Sequence, residues 1–343
     1  MFAPLLEKLQ RRQDLTAEEA AAAMDDIMEG RAQPAHIAGL LLALAMKGER
    51  PSEIVGLART MRAKATRLSR PFDEVFDTCG TGGDRAHTFN VSTVAALVVA
   101  ACGVRVAKHG NRSVSSRCGS ADLFEALGVN VAAPPPAVER CLAEAGIAFF
   151  FAPTFHPSMR HAGPTRKELG VRTAFNLLGP LTNPAGATRQ LVGVPRPELT
   201  ELVARSLALL GSTRAWVVHG ADGLDEISTT GYTKISECRD GAVNTFYLHP
   251  SDVGVPKAAP ETLKGGTAGV NADIARAVLA GQRGAPRDIV LLNAGASLLI
   301  AGAASRLREG IERAAAAIDD GRARGALERL VALSQSPPEA AAS

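Results

Sequence analysis

Three stretches of the sequence place chemically useful side chains directly after apolar runs. The first is Asp77-Thr-Cys-Gly-Thr-Gly-Gly-Asp84, followed by Asn90-Val-Ser-Thr93. Glycines let backbone N–H groups approach an anion closely, and the start of a helix adds its positive dipole end, so this pattern suits phosphate. A tight turn with a good N-cap would use the same residues. The familiar glycine motifs do not fit: a dinucleotide fingerprint begun at Gly80 requires glycine where the chain has Arg85, and no Gly-Lys-Ser/Thr ends the loop. The second stretch, Lys108-His-Gly-Asn-Arg-Ser-Val-Ser-Ser-Arg-Cys-Gly-Ser120, combines Lys108, Arg112 and Arg117 with the hydroxyls of Ser113, Ser115, Ser116 and Ser120. Arginine grips phosphate through two N–H groups and lysine acts as a point charge. Two such loops at two strand ends point to one polyanionic ligand.

The third stretch, His219-Gly-Ala-Asp-Gly-Leu-Asp-Glu226, offers Asp222, Asp225 and Glu226. Carboxylates alone would repel a phosphate ligand, whereas Mg²⁺ takes one or two carboxylates and leaves its other positions to water and phosphate oxygens. An exposed acidic turn is the reading for this stretch taken alone; beside two phosphate loops the metal reading is the stronger. A fourth segment, 153–184, is rich in Pro and Gly and carries His156, Arg160, His161 and Arg166, which suit a second, carboxylate-bearing substrate or serve as helix-surface charges.

These residues need elements to hold them. Short apolar runs at 74–78, 104–107, 147–151, 190–194 and 215–218 read as buried strands. Helical patterns at 91–101, 121–127, 137–145 and 198–210 alternate with them, the signature of a mostly parallel sheet with crossover helices. Residues 232–247 carry denser β character around Gly241 and suit antiparallel strands. The first 70 residues read as helices alone. Thr16-Ala-Glu-Glu19 has capping-box spacing, and Ile37, Leu40, Leu41 and Leu44 fall on one helical face. Leu42 and Met46 make that helix apolar over more than one face, as in a core helix or a subunit interface. The fold class expected is α/β, with a small N-terminal helical domain and a larger α/β domain around a mostly parallel central sheet. The division is 1–72 (joined by part of 160–185), 73–335, and a flexible tail over 336–343.

The 343 residues hold 38 Lys+Arg against 35 Asp+Glu, a formal charge of +3, which argues against a mostly non-specific nucleic-acid binder. The five cysteines are scattered without metal-ligand spacing and read as free thiols of a reducing compartment. No apolar run approaches the ~18 residues that span a bilayer, and the N-terminus has no secretory pattern. A soluble, cytoplasmic protein with no membrane or nucleic-acid partner is expected.

Gly-Thr-Gly-Gly-Asp at 80–84, Asn-Val-Ser-Thr at 90–93, Lys-His-Gly-Asn-Arg-Ser-Val-Ser-Ser at 108–116 and Gly-Ser-Ala-Asp at 119–122 resemble the anthranilate phosphoribosyltransferase family. Arg-Thr-Ala-Phe-Asn-Leu-Leu-Gly-Pro-Leu-Thr-Asn-Pro at 172–184, Val-His-Gly-Ala-Asp-Gly-Leu-Asp-Glu at 218–226 and Leu-Asn-Ala-Gly-Ala at 292–296 extend the likeness from about residue 15 to about residue 330. The resemblance implies transfer of the 5-phosphoribosyl group from 5-phosphoribosyl 1-pyrophosphate to the amine of anthranilate, a step of tryptophan biosynthesis. It also implies two Mg²⁺ per monomer, a site at the hinge between the domains, and a homodimer formed through the helical domain.

Residue by residue, the resemblance puts the sugar diphosphate against Gly80, Gly83, Asp84, Thr88, Asn90, Val91, Ser92 and Thr93. The remainder of that ligand falls to Lys108, His109, Gly110, Asn111, Arg112, Ser113, Val114, Ser115, Ser116 and Ser120. Anthranilate falls to Gly80, Asn111 and Arg166, with His109 and Pro180 as neighbours, and magnesium to Ser92, Asp225 and Glu226. No residue is assigned as general base or nucleophile. Arg85, Arg117-Cys118 and 229–233 depart slightly from the family pattern. Two other readings of the same fold are a pyrimidine nucleoside phosphorylase, not expected to carry the Asp225-Glu226 pair, and a non-catalytic nucleic-acid-binding relative, expected to show eroded motifs and a larger basic excess.

Overall fold

The structure is a computed structural model that describes residues 1–84, 86–113 and 117–336. Four helices come first: α1 (Phe2–Gln10), α2 (Ala17–Met28), α3 (Pro34–Lys47) and α4 (Pro51–Ala63). Thr16 Oγ1 accepts from the Glu19 amide while the Glu19 carboxylate accepts from the Thr16 amide, so the capping box expected from the spacing opens α2. Pro34 and Pro51 occupy first turns, and Gly48 closes α3 with φ +88. The Ile37, Leu40, Leu41 and Leu44 stripe is buried in the bundle, while Met46 is 80% exposed.

Seven strands follow in one sheet: β1 (Phe76–Gly80), β2 (Val106–Gly110), β3 (Ile147–Phe151), β4 (Arg189–Gly193), β5 (Arg214–Gly220), β6 (Thr233–Arg239) and β7 (Ala242–Leu248). Their order is β3-β2-β1-β4-β5-β6-β7. The first five run parallel and β6 and β7 antiparallel, as expected from the change of pattern after residue 232. The connections run outward from β1 to β2 and β3, then return to β4 on the other side of β1. A cleft therefore opens above the carboxyl ends of β1 and β4, the place where such sheets bind ligands.

The crossovers and covers are α5 (Val91–Ala101), α6 (Ser120–Ala126), α7 (Pro135–Arg140), α8 (Ala152–Phe155), α9 (Gly163–Leu169), α10 (Phe175–Leu181) and α11 (Leu199–Leu209). They are followed by α12 (Ala268–Leu279), α13 (Ala285–Ile300), α14 (Leu307–Asp319) and α15 (Arg322–Gln335). The helix expected over 137–145 divides: α7 ends at Arg140 and a π-turn spans Cys141–Ala145. One face of the sheet is closed by α5, α13, α14 and α15. On the other face Val192, Val194, Ala215 and Val217 join α11 and the α1–α4 bundle in a single apolar cluster. Arg62 of α4 ties that junction, donating to the Leu181 and Leu210 carbonyls at 2.6 and 3.2 Å. No helix among the described residues is long and apolar enough to cross a membrane.

Candidate active site

The glycine loop leaves the end of β1 at the cleft. Gly82 and Gly83 take positive φ (63° and 86°), a conformation costly for any residue with a Cβ. Asp225, in the loop after β5, lies across this turn: its Oδ2 would be 2.8 Å from a Cβ placed on Gly80. Glu226 beside it accepts from the Ser92 amide in the first turn of α5 at 3.1 Å. Two carboxylates thus sit where backbone N–H groups and a helix N-terminus would otherwise attract phosphate. Burial pushes Asp225 up to about 7, with the charge of Asp84 adding to it. Burial likewise pushes Glu226 up to about 8, with Asp225 adding to it.

A pair of carboxylates held against their charged forms calls for a cation. The donors around it are all oxygens, those of Asp225, Glu226 and the Ser92 hydroxyl, which suits a hard ion such as Mg²⁺. Among the described residues no three His, Cys, Asp or Glu side chains converge as a ready metal cage. Asp222 is used differently: its carboxylate accepts from the Ser228 and Thr230 hydroxyls and the Leu224 amide, shaping the loop that presents Asp225 and Glu226.

Lys108, at the end of β2, is 1% exposed, and its Nζ donates to the Thr78 carbonyl at 2.5 Å with Ser92 Oγ at 3.5 Å. Burial lowers its pKa, offset by Asp77 and then by Cys79 and Glu226. Asp77 is fully buried and takes the Asn183 amide at 2.9 Å and the His109 backbone N–H at 3.2 Å, tying the carboxyl end of β2 to the segment after α10.

His109 donates Nδ1–H to the Gly179 carbonyl at 2.9 Å, and His156 donates Nε2–H to the Thr182 carbonyl at 3.0 Å. Their rings stand 5.1 Å apart, and the remaining nitrogens, His109 Nε2 and His156 Nδ1, meet no partner among the described residues. Burial depresses His109 to about 3 and His156 to about 4, so both are neutral acceptors.

Arg166 on α9 stacks over Phe175 with its guanidinium carbon 5.2 Å from the ring centre. It meets no carboxylate among the described residues, and burial lowers its pKa. A half-sunk guanidinium without a carboxylate suits an anionic substrate group. Of its neighbours in the fourth segment, His161 packs against Gly30 at the end of α2, and Arg160 is exposed.

In the basic loop, Arg112 is engaged by Asp122 at 3.0 Å and by both oxygens of Glu125 at 2.7 and 3.1 Å. The Asn111 carbonyl accepts from the Ser120 hydroxyl at 3.3 Å and the Ala121 amide at 3.3 Å, closing the loop at the start of α6. Asn90 Nδ2 reaches the Cys118 carbonyl at 3.0 Å and Asn90 Oδ1 accepts from Asn271 at 2.9 Å, linking this loop to the first turns of α5 and α12. Thr88 forms a bridge to Lys264, and Thr93 Oγ1 is buried without a partner among the described residues. Val114, Ser115, Ser116 and Arg85 lie outside the described residues, as does the tail from 337.

The structure also draws in residues the motifs did not single out. Asn293 on α13 accepts from the Ile227 amide at 3.0 Å and donates to the Ile227 carbonyl at 2.9 Å, holding the residue next to Glu226 from both sides. Gly193, at the end of β4, leaves room for the Asp225 backbone. Arg172 lies against Gly83. Residues 172 and 293 fall within the quoted family runs; nothing in the sequence distinguishes Gly193 from other strand-end glycines.

Two family models match the chain: the glycosyl transferase family helical bundle domain over residues 3–65 and the glycosyl transferase family a/b domain over residues 73–324. The chain therefore belongs to that glycosyl transferase family. It is 56% identical over 336 residues to the anthranilate phosphoribosyltransferase of Moorella thermoacetica, covering 98% of this chain and 99% of that protein. The crystal structure of the Thermus thermophilus anthranilate phosphoribosyltransferase superposes with a TM-score of 0.91 at 47% identity, over 98% of this chain and 100% of that one. The Saccharomyces cerevisiae enzyme in complex with PRPP and Mg matches with a TM-score of 0.89 at 27% identity, over 98% of each chain. The same yeast enzyme in complex with 4-fluoroanthranilate gives a TM-score of 0.86 at 26% identity, over 98% of this chain and 99% of that one. Within its family the chain stands with the anthranilate phosphoribosyltransferases, enzymes that transfer a pentosyl group.

Proposed function

We propose that the cleft above β1 and β4 transfers the phosphoribosyl group of 5-phosphoribosyl 1-pyrophosphate to the amine of anthranilate, with release of pyrophosphate. The observation that carries this reading is the Asp225-Glu226 pair lying on a glycine loop and a helix N-terminus: an anion site that also demands a cation. The donor is assigned to Gly80, Gly83, Asp84, Thr88, 90–93, 108–116 and Ser120. The acceptor is assigned to Gly80, Asn111 and Arg166, with the Arg166 guanidinium facing its carboxylate. Magnesium, assigned to Ser92, Asp225 and Glu226 with two ions per monomer, supplies positive charge for the diphosphate when bound.

Breaking the bond at C1 leaves a cation-like ribose and a departing polyanion, so the protein's task is charge stabilisation and alignment. Lys108, buried below Ser92, and the first-turn N–H groups of α5 direct positive potential at the leaving group. Arg166 orients the acceptor by its carboxylate. His109 is neutral and offers only an acceptor nitrogen, and the aromatic amine is neutral at pH 7, so the attack requires no strong base.

A homodimer is what the sequence resemblance implies, and the exposed Met46 and Leu42 on α3 favour the helical bundle as its interface. A division into 1–72 and 73–335 accords with the two matched family regions, and the packing of α9 on α3 and of α10 on α4 supports joining part of 160–185 to the bundle. A cytoplasmic location fits a biosynthetic enzyme with free thiols. Loss of anthranilate fluorescence tests the reading: it should require the protein, Mg²⁺ and phosphoribosyl pyrophosphate together, and fail in a joint Asp225→Asn/Glu226→Gln variant. Binding of the sugar diphosphate without loss of fluorescence would mean a different acceptor, and no binding would overturn the reading.

A further inference from the structure

The turn between α9 and α10 carries Arg172 to the glycine loop. Its Nη1 stands 1.8 Å from where a Cβ on Gly83 would be, so the guanidinium occupies the space that this glycine leaves open. Its Nη2 approaches the Thr81 carbonyl at 3.3 Å and the Thr81 hydroxyl at 3.5 Å. Both partners are neutral and both distances long, so these contacts hold the group in place weakly. Among the described residues no carboxylate forms an ion pair with Arg172, although it senses Asp225 and Asp84. The residue as a whole is exposed, while lying against the loop costs the guanidinium part of its hydration. A partly desolvated fork over a glycine loop, held only by neutral acceptors, is poised to exchange them for phosphate oxygens.

We propose that Arg172 is a substrate-contacting residue that grips the phosphate groups of the sugar diphosphate over the glycine loop, with Gly83 as its seat. The inference rests on the phosphoribosyl reading of the site and adds a contact that the loop motifs do not supply. Arg166 lies on the preceding helix, six positions earlier in the chain, so one short segment holds a cation for each substrate.

The test compares Arg172→Gln and Arg172→Lys with the unaltered protein in Mg²⁺. Affinity for phosphoribosyl pyrophosphate is measured by calorimetry, KM for both substrates by fluorescence, and Tm by thermal unfolding. The expected result is a rise of roughly ten- to hundred-fold in the donor Kd and KM for Arg172→Gln, the loss of one charge-assisted phosphate grip. Anthranilate KM should stay within about two-fold and Tm unchanged, with Arg172→Lys recovering part of the donor affinity because it keeps the charge without the fork. Unchanged donor affinity in Arg172→Gln would overturn the proposal. So would equal losses for both substrates together with a lowered Tm, which would make Arg172 a latch of the loop alone. If the unaltered protein itself fails to bind the sugar diphosphate, the site reading falls and this proposal with it.

Discussion

Gly193 lies directly beneath Asp225: a Cβ built on Gly193 would stand 1.6 Å from the Asp225 carbonyl oxygen and 2.6 Å from its carbonyl carbon. Backbone meets backbone there, so no side-chain rotation can relieve the clash. The acidic loop sits as low over β4 as it does because that strand ends without a side chain.

Gly193→Ala should therefore lift the loop that carries Asp225 and Glu226. The expected outcome is a fall in kcat/KM of at least about a hundred-fold, as for a misplacement of about 1 Å. A stability loss of roughly 1–3 kcal/mol for overpacking should accompany it. Steady-state kinetics beside urea unfolding would check it, and an active Gly193→Ala enzyme would show that the loop can shift freely.

Asn293 fixes the same loop from the other side. Asn293→Ala strands the amide and carbonyl of Ile227 in a buried place, and a destabilisation of roughly 2–4 kcal/mol is expected. In the folded variant, half-maximal activity should require more Mg²⁺ than in the unaltered enzyme. Magnesium titration of activity well below the variant's Tm separates that effect from simple unfolding.

Magnesium should stabilise the free protein through its carboxylate pair. Saturating Mg²⁺ is expected to raise Tm by about 2–5 °C over the same protein in a chelator. The joint Asp225→Asn/Glu226→Gln variant should show no such rise. Differential scanning fluorimetry with Mg²⁺, with a chelator and with Na⁺ at equal ionic strength reads this directly.

Two buried neutral histidines make the fold acid-sensitive. Above about pH 7.5 neither folded nor unfolded chain protonates them appreciably, and they leave stability unaffected. As pH falls below that value the unfolded chain takes up protons that the folded protein refuses until about 4 at His156 and about 3 at His109. Stability is thus lost on acidification through this window, by up to roughly 1.4 kcal/mol per pH unit for each group. His156→Gln, which keeps a donor for the Thr182 carbonyl, should flatten the fall between pH 6.5 and 4.5 in urea titrations.

Much of this fold is legible in local pattern. The 91–101 helix and the 147–151 strand were expected at the bounds they have, and the Thr16–Glu19 box opens α2 as its spacing implies. The strand expected at 74–78 instead pairs over Phe76–Gly80: apolar residues mark burial, while hydrogen-bond register is set by neighbouring strands and runs on through Thr78 and Gly80. The π-turn at Cys141–Ala145 buries Cys141, Leu142 and Ala145 and so keeps a helix-like apolar pattern, which hides the change of hydrogen bonding.

The site divides in the same way. The glycine loop, Lys108 and the acidic pair each lie in one short run and declare their chemistry locally. Asn293 and Ile227 are 66 positions apart, and the fit of Gly193 under Asp225 depends on how β4 and β5 pair. Such relationships leave no periodic or compositional trace.

The apolar cluster shared by the helical bundle, α11 and the β4–β5 face bears on how this protein can be taken apart. A fragment beginning at residue 73 would expose Leu199, Val203 and Leu207, together with the bundle-facing side of the cluster around Val192 and Val217. The bundle is thus less an appended cap than one wall of the larger unit's interior. Grafting a foreign bundle onto this sheet, in a laboratory or in evolution, would require the new α4 to match α11 side chain for side chain before any new acceptor could be tried.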